Sequence, residues 1–133
     1  MSSTRAMVQD GLLSRTARLG GGRLTAISLV TLATDANLTL TTAQCVGGAV
    51  NFSSFSAGRT VTTDTAANIL AALPSLDVGE SIEITVTCQA AFAATWAAGT
   101  GVTLAGRATT PASTHSHVLI TKTSATTVTW TVL

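Results

Sequence analysis

Residues 81–88 alternate strictly, with Ser81, Glu83, Thr85 and Thr87 separated by Ile82, Ile84, Val86 and Cys88. A period of two places one set on each face of a pleated strand, so the segment predicts a β-strand with one buried face. Shorter runs of the same kind recur along the chain. Residues 24–32 and 37–41 predict a first pair of strands joined across Thr34-Asp35-Ala36, and residues 43–55 a strand broken at Gly47-Gly48 by a bulge or bend. Further strands are expected at 59–63, 92–97, 101–104, 117–123 and 126–132, the last with Val128, Trp130 and Val132 facing inward. Before 101–104 the glycines Gly99 and Gly101 reverse the chain, leaving Val102 and Leu104 on one face and Thr103 on the other. One segment follows a helical period instead. Asp64 or Thr65 caps it, residues 66–73 carry Ile69, Leu70 and Leu73 on one side, and Pro74 ends it.

Many short strands separated by turns need long-range closure. They predict an all-β fold, a jelly-roll or Greek-key β-sandwich with one short helix and an extended N-terminal arm. Threonine makes up about a fifth of the chain, which suits half-buried strands rather than helices. The chain has 133 residues, 46% hydrophobic but only 4% aromatic, so the expected core is aliphatic. With 10% charged residues and a net charge of +1, it lacks the basic footprint of a nucleic-acid binder and the charged coat of a solitary monomer. Such a surface is expected to meet protein. No apolar stretch has the length of a membrane span, since even 24–32 is interrupted by Thr25, Ser28 and Thr31.

Charge divides the chain into residues 1–24, a basic arm, and residues 25–133, the β domain. The arm holds Arg5, Arg15, Arg18 and Arg23 against Asp10 alone, and Gly20-Gly21-Gly22 reads as a hinge. An Arg-rich, acid-poor start also has the composition of an organellar transit peptide or of a plain tail.

The polar residues do not suggest an enzyme. The acids Asp10, Asp35, Asp64, Asp77, Glu80 and Glu83 each fit an arm, turn, cap or outward strand face, and no Gly-x-Ser-x-Gly elbow is present. Gly20-Gly21-Gly22-Arg23 lacks the Gly-Lys-Ser/Thr ending of a phosphate loop. Cys45 and Cys88 fall in predicted strands and read as small core residues, with a disulfide between them as the alternative. His115 and His117, alternate residues of an extended strand, point the same way, but two imidazoles do not complete a metal site. No cofactor, metal or small-molecule substrate is expected. The sequons at Asn37 and Asn51 are expected by chance in so Ser/Thr-rich a chain.

The order of elements resembles a known family. A small helix ending Ala71-Ala72-Leu73-Pro74, then Val78-Gly79-Glu80-Ser81-Ile82-Glu83-Ile84, then Ala98-Gly99-Thr100-Gly101-Val102-Thr103-Leu104-Ala105-Gly106, and a closing hairpin ending Val128-Thr129-Trp130 are similar to the capsid cement or decoration proteins of tailed bacteriophages. The match runs over residues 42–133 and leaves out the arm. It implies a structural virion protein that forms a homotrimer on the outer capsid surface, is assembled in the host cytoplasm, and bridges major capsid protein subunits. Nucleic acid, membranes and small-molecule substrates are not implied as partners. On this reading the arm binds the capsid, through Arg5, Arg15, Arg18 and Arg23 as charges and Met7, Val8, Leu12 and Leu13 as apolar anchors. The alternative is a tail-fibre or receptor-binding adhesion module, with a sugar or protein site on loops 90–96 or 107–116 and Trp96 as a stacking surface.

Overall fold

The computed structural model describes residues 27–133. The fold is mostly β, in two sheets. The chain runs β1 (Ser28–Leu32), β2 (Leu38–Thr39), α1 (Thr42–Val46), β3 (Gly48–Phe52), β4 (Arg59–Thr62), α2 (Ala66–Ala71), β5 (Ser81–Cys88), β6 (Ala94–Ala97), β7 (Val102–Gly106), β8 (Thr109–Thr110), β9 (Thr114–Lys122) and β10 (Val128–Val132). A six-stranded sheet has the order β1-β3-β5-β9-β10-β7, and a four-stranded sheet the order β2-β4-β6-β8.

From β1 to β9 the chain changes sheet after every strand. The returns that form β3 and β5 come from the same side, so β1, β3 and β5 lie parallel in register, with Val30 beside Val50 and Val50 beside Val86, whereas β9 returns antiparallel to β5. β2, β4 and β6 are parallel for the same reason. The result is a wind of three coils, of the kind that builds parallel β-helices. Jelly rolls and Greek keys join antiparallel neighbours, whereas five of the eight strand pairs among the described residues are parallel. The two-sheet, all-β expectation holds, and the winding differs from it. The expected pairing of 24–32 with 37–41 also fails, because β1 and β2 join different sheets. At the corner between them, the Asp35 carboxylate accepts hydrogen bonds from the Ser56 backbone N–H (2.9 Å) and from the Arg59 guanidinium (2.9 Å), which turns the chain across.

Two helices, not one, occur among the described residues, each where the chain crosses back to the larger sheet. α1 replaces the first part of the strand expected at 43–55, so Cys45 is helical rather than extended. A capping box starts it: Gln44 N–H donates to Thr41 Oγ1 at 3.3 Å, and Thr41 N–H donates to Gln44 Oε1 at 2.9 Å. Thr65 caps α2, accepting from Asn68 N–H at 3.2 Å. Asp64, the other candidate cap, instead ties the two helices together. Its carboxylate accepts from the Thr42 hydroxyl at the start of α1, and from Thr65 N–H (2.7 Å) and Asn68 Nδ2 (3.0 Å) at the start of α2.

Between the sheets, the core takes Val50, Phe52, Ile84, Val86, Val118, Ile120, Val128 and Trp130 from the larger and Val61, Ala94 and Trp96 from the smaller. The expected aliphatic core has an aromatic spine. Phe55 stacks on Phe52 (5.3 Å between centroids), Phe52 meets the edge of Trp96 (6.2 Å), and Trp96 lies 5.5 Å from Trp130. Few aromatics suffice because four of the chain's five share one row. Trp130 is fully buried, with Val128 and Val132 beside it on the inward face as the alternation requires. Leu104 shares Val102's face but remains exposed.

The turn at Gly99 and Gly101 is seated on the start of α2. Gly99 N–H donates to Thr63 Oγ1 at 2.9 Å, and Ala66 N–H donates to Thr100 O at 2.9 Å. Gly101 has a φ of +81°, and a Cβ at Gly99 would lie 2.5 Å from Asp64 O. Gly101 thus meets the conformational demand and Gly99 a close backbone approach.

Candidate functional site

Among the described residues, the outer face of the six-stranded sheet gathers one set of polar side chains. It presents the side chains that alternate with the core: Ser81, Glu83, Thr85 and Thr87 on β5, His115, His117, Leu119 and Thr121 on β9, Thr129 and Thr131 on β10, and Thr103 and Ala105 on β7. Register turns them into rows. Ser81 lies beside Thr121, Thr121 beside Thr129, and Thr129 beside Thr103. The Ser81 and Thr121 hydroxyls are 2.6 Å apart. Threonine fits such a surface because its β-branch favours the pleat and its hydroxyl satisfies its neighbours.

His115 and His117 do point the same way, with ring centroids 5.6 Å apart. Glu83 joins them from the neighbouring strand, its Oε2 2.8 Å from His117 Nδ1, and both side chains of that pair are about half exposed. Alternation places Glu83 outward, but its partner follows from register alone. Among the described residues no group of three His, Cys, Asp or Glu is placed to hold a metal ion.

The other polar clusters brace loops. Ser56 and Arg59 hold the Asp35 carboxyl down to about 2, first through the Ser56 hydroxyl and backbone bonds and then through the guanidinium. Asp64 is likewise lowered, chiefly by the Thr42 hydroxyl. Cys45 and Cys88 are free thiols in the core. Burial pushes Cys45 up to about 11 and raises Cys88, which keeps the nucleophilic thiolate form scarce near neutral pH.

Trp96, the stacking surface of the adhesion reading, is buried against Phe52 and Trp130. Its indole N–H donates to Thr110 Oγ1 at 3.1 Å, and that hydroxyl donates to Ser116 Oγ at 3.0 Å, a satisfied polar chain inside the core. In the same loop region Phe92 is exposed. An open apolar hollow of about 330 Å³ is lined by residues from Ala72 to Leu76 together with Ile82.

Arg5, Met7, Val8, Leu12, Leu13, Arg15, Arg18 and Arg23 lie outside the described residues, as do residues 24–26 of the first expected strand. The surface that sequence reasoning missed is the one that follows them directly. Ile27, Leu29 and Val30 are 67%, 60% and 39% exposed, at the side where the larger sheet ends among the described residues. Their alternation with Ser28 and Thr31 signals a strand but says nothing of which neighbours cover it. Comparison with family models, with curated proteins and with solved structures finds no match for this chain.

Proposed function

We propose that this protein is a structural component of a tailed-bacteriophage particle, a capsid cement that sits on the outer capsid surface as a homotrimer and bridges major capsid protein subunits. The observation that carries the reading is the surface. It combines a sheet face of threonine hydroxyls with an exposed apolar strand, joined directly to a segment holding Arg5, Arg15, Arg18 and Arg23. A nearly uncharged face and a strand with exposed apolar side chains are suited to burial against protein. Arginines on the preceding segment suit carboxylates of a larger assembly. The role is mechanical, and no residue is assigned to catalysis. It rests on a two-sheet domain with such a surface and does not require a jelly-roll winding of that domain.

The adhesion alternative loses its aromatic platform, since Trp96 faces the core. Phe92 is what remains for it on that loop.

Purified full-length protein mixed with capsids lacking it should co-sediment in numbers that cover the shell. Replacing Arg5, Arg15, Arg18 and Arg23 with Glu should weaken binding and reduce its sensitivity to salt, because exposed ionic contacts are the screened ones. Binding of a few copies at the tail would favour adhesion, and no binding to any part of the particle would refute the cement reading.

A further inference from the structure

Among the described residues the larger sheet ends on β1 at one side and β7 at the other. The two strands match. Each is five residues long. They also run in the same direction: β1, β3 and β5 are parallel, β9 is antiparallel to both β5 and β10, and β7 is parallel to β10. Val30 on β1 and Leu104 on β7 project from the same, core-side face, and they remain 39% and 37% exposed.

Sheet edges are ordinarily guarded by charge, proline or a bulge, because an open edge templates another strand. Neither Ser28-Leu29-Val30-Thr31-Leu32 nor Val102-Thr103-Leu104-Ala105-Gly106 carries a charged residue or a proline. We propose that β1 of one copy adds to β7 of another, so that the larger sheet continues from molecule to molecule, head to tail and in parallel. A second copy is the occupant that the molecule itself supplies, with an edge of matching length, direction and apolar face. A twofold pairing of β1 with β1 would be antiparallel and would leave Leu104 uncovered.

The junction rests on the homotrimer reading only for the number of copies. Head-to-tail junctions make a trimer where the rotation closes a ring and a filament where it does not.

The test uses full-length protein, with Val30→Lys and the more exposed Leu29→Lys on β1, and Leu104→Glu on β7. Circular dichroism and melting first establish that each variant is folded. Sedimentation velocity should then show the wild type assembled and every single variant monomeric at the same concentration. Mixing Val30→Lys with Leu104→Glu should give a heterodimer by native mass spectrometry, since the first keeps an intact β7 and the second an intact β1. A Leu104→Glu protein that assembles like the wild type would overturn the junction, as would a monomeric wild type or a mixture without heterodimer. Capsid binding measured alongside separates the two readings. Assembled protein that never binds capsids refutes the cement function and leaves the junction standing, whereas variants that still assemble but lose the capsid refute the junction alone.

Discussion

β1 and β10 are strands of equal length in the same sheet, yet β1 leaves Leu29 on one face and Val30 on the other exposed, with only Leu32 against the core, while β10 buries Val128, Trp130 and Val132. Their compositions do not explain the contrast, because Ser-Leu-Val-Thr-Leu is at least as apolar as Val-Thr-Trp-Thr-Val. Their neighbours do. β10 lies between β9 and β7 with the Trp96 ring against its inward face, whereas β1, among the described residues, has β3 on one side only. Burial here belongs to the place a strand takes in the sheet, and the exposed strand is left available for contact.

The sharpest way to break the contrast is to empty the place that β10 fills. Trp130→Ala should cost about 3–5 kcal/mol, seen as a collapse of the melting temperature or loss of soluble protein. The indole N–H of Trp130 has no hydrogen-bond partner among the described residues. Trp130→Phe should therefore cost clearly less, because the ring's bulk and not its polar tip is what the core uses.

A smaller loss is expected where β7 closes against β10. Gly106 has a φ of +78°, and a Cβ there would lie 2.1 Å from Val132 O. Gly106→Ala should destabilise by about 1–3 kcal/mol through backbone strain, measured by urea denaturation. A neutral result would mean that the β7 end is loosely held.

Smaller again is the loss of a helix cap in the parallel-wound part. Thr65→Ala leaves Asn68 N–H without its side-chain acceptor and should cost about 1 kcal/mol. Denaturation of the same variant should show an unchanged m-value, since one cap does not alter the surface exposed on unfolding.

The smallest effect lies at the corner after β1, and acid reveals it. Asp35 is held at about 2 in the folded protein against an ordinary 3.8, so its contribution is complete above the ordinary value and is lost as pH falls from about 4 towards 2. Amide exchange at Ser56, whose N–H donates to that carboxylate, should speed up over this window relative to amides of β10. Asp35→Asn should remove that pH dependence.

Several elements were legible in the chain, and one that was missed had left its signal there. The alternation of residues 81–88 coincides with β5, and Val128, Trp130 and Val132 face inward as expected. Helix α2 lies within 66–73, with Thr65 as its cap. α1 was masked by the apolar content of 43–55, although Thr41-Thr42-Ala43-Gln44 has the spacing of a capping box, followed by Gly47-Gly48. β8, at two residues, is too short to show a period. Of the candidate site, the shared direction of His115 and His117 was visible because it depends on strand geometry alone. The approach of Glu83 to His117 depends on which strand pairs with β9 and in what register, and alternation does not carry that information.

Local chemistry therefore accounts for where strands begin, which face each buries and where α2 starts, because those properties arise between residues a few positions apart. The choice of sheet and direction arises between distant segments. A period of two looks the same in a parallel or antiparallel strand, at an edge or in the middle. The three-coil wind, the row from Phe55 to Trp130 and the exposure of Leu29 and Val30 on β1 came into view only once the chain was folded, since each depends on contacts that close long loops.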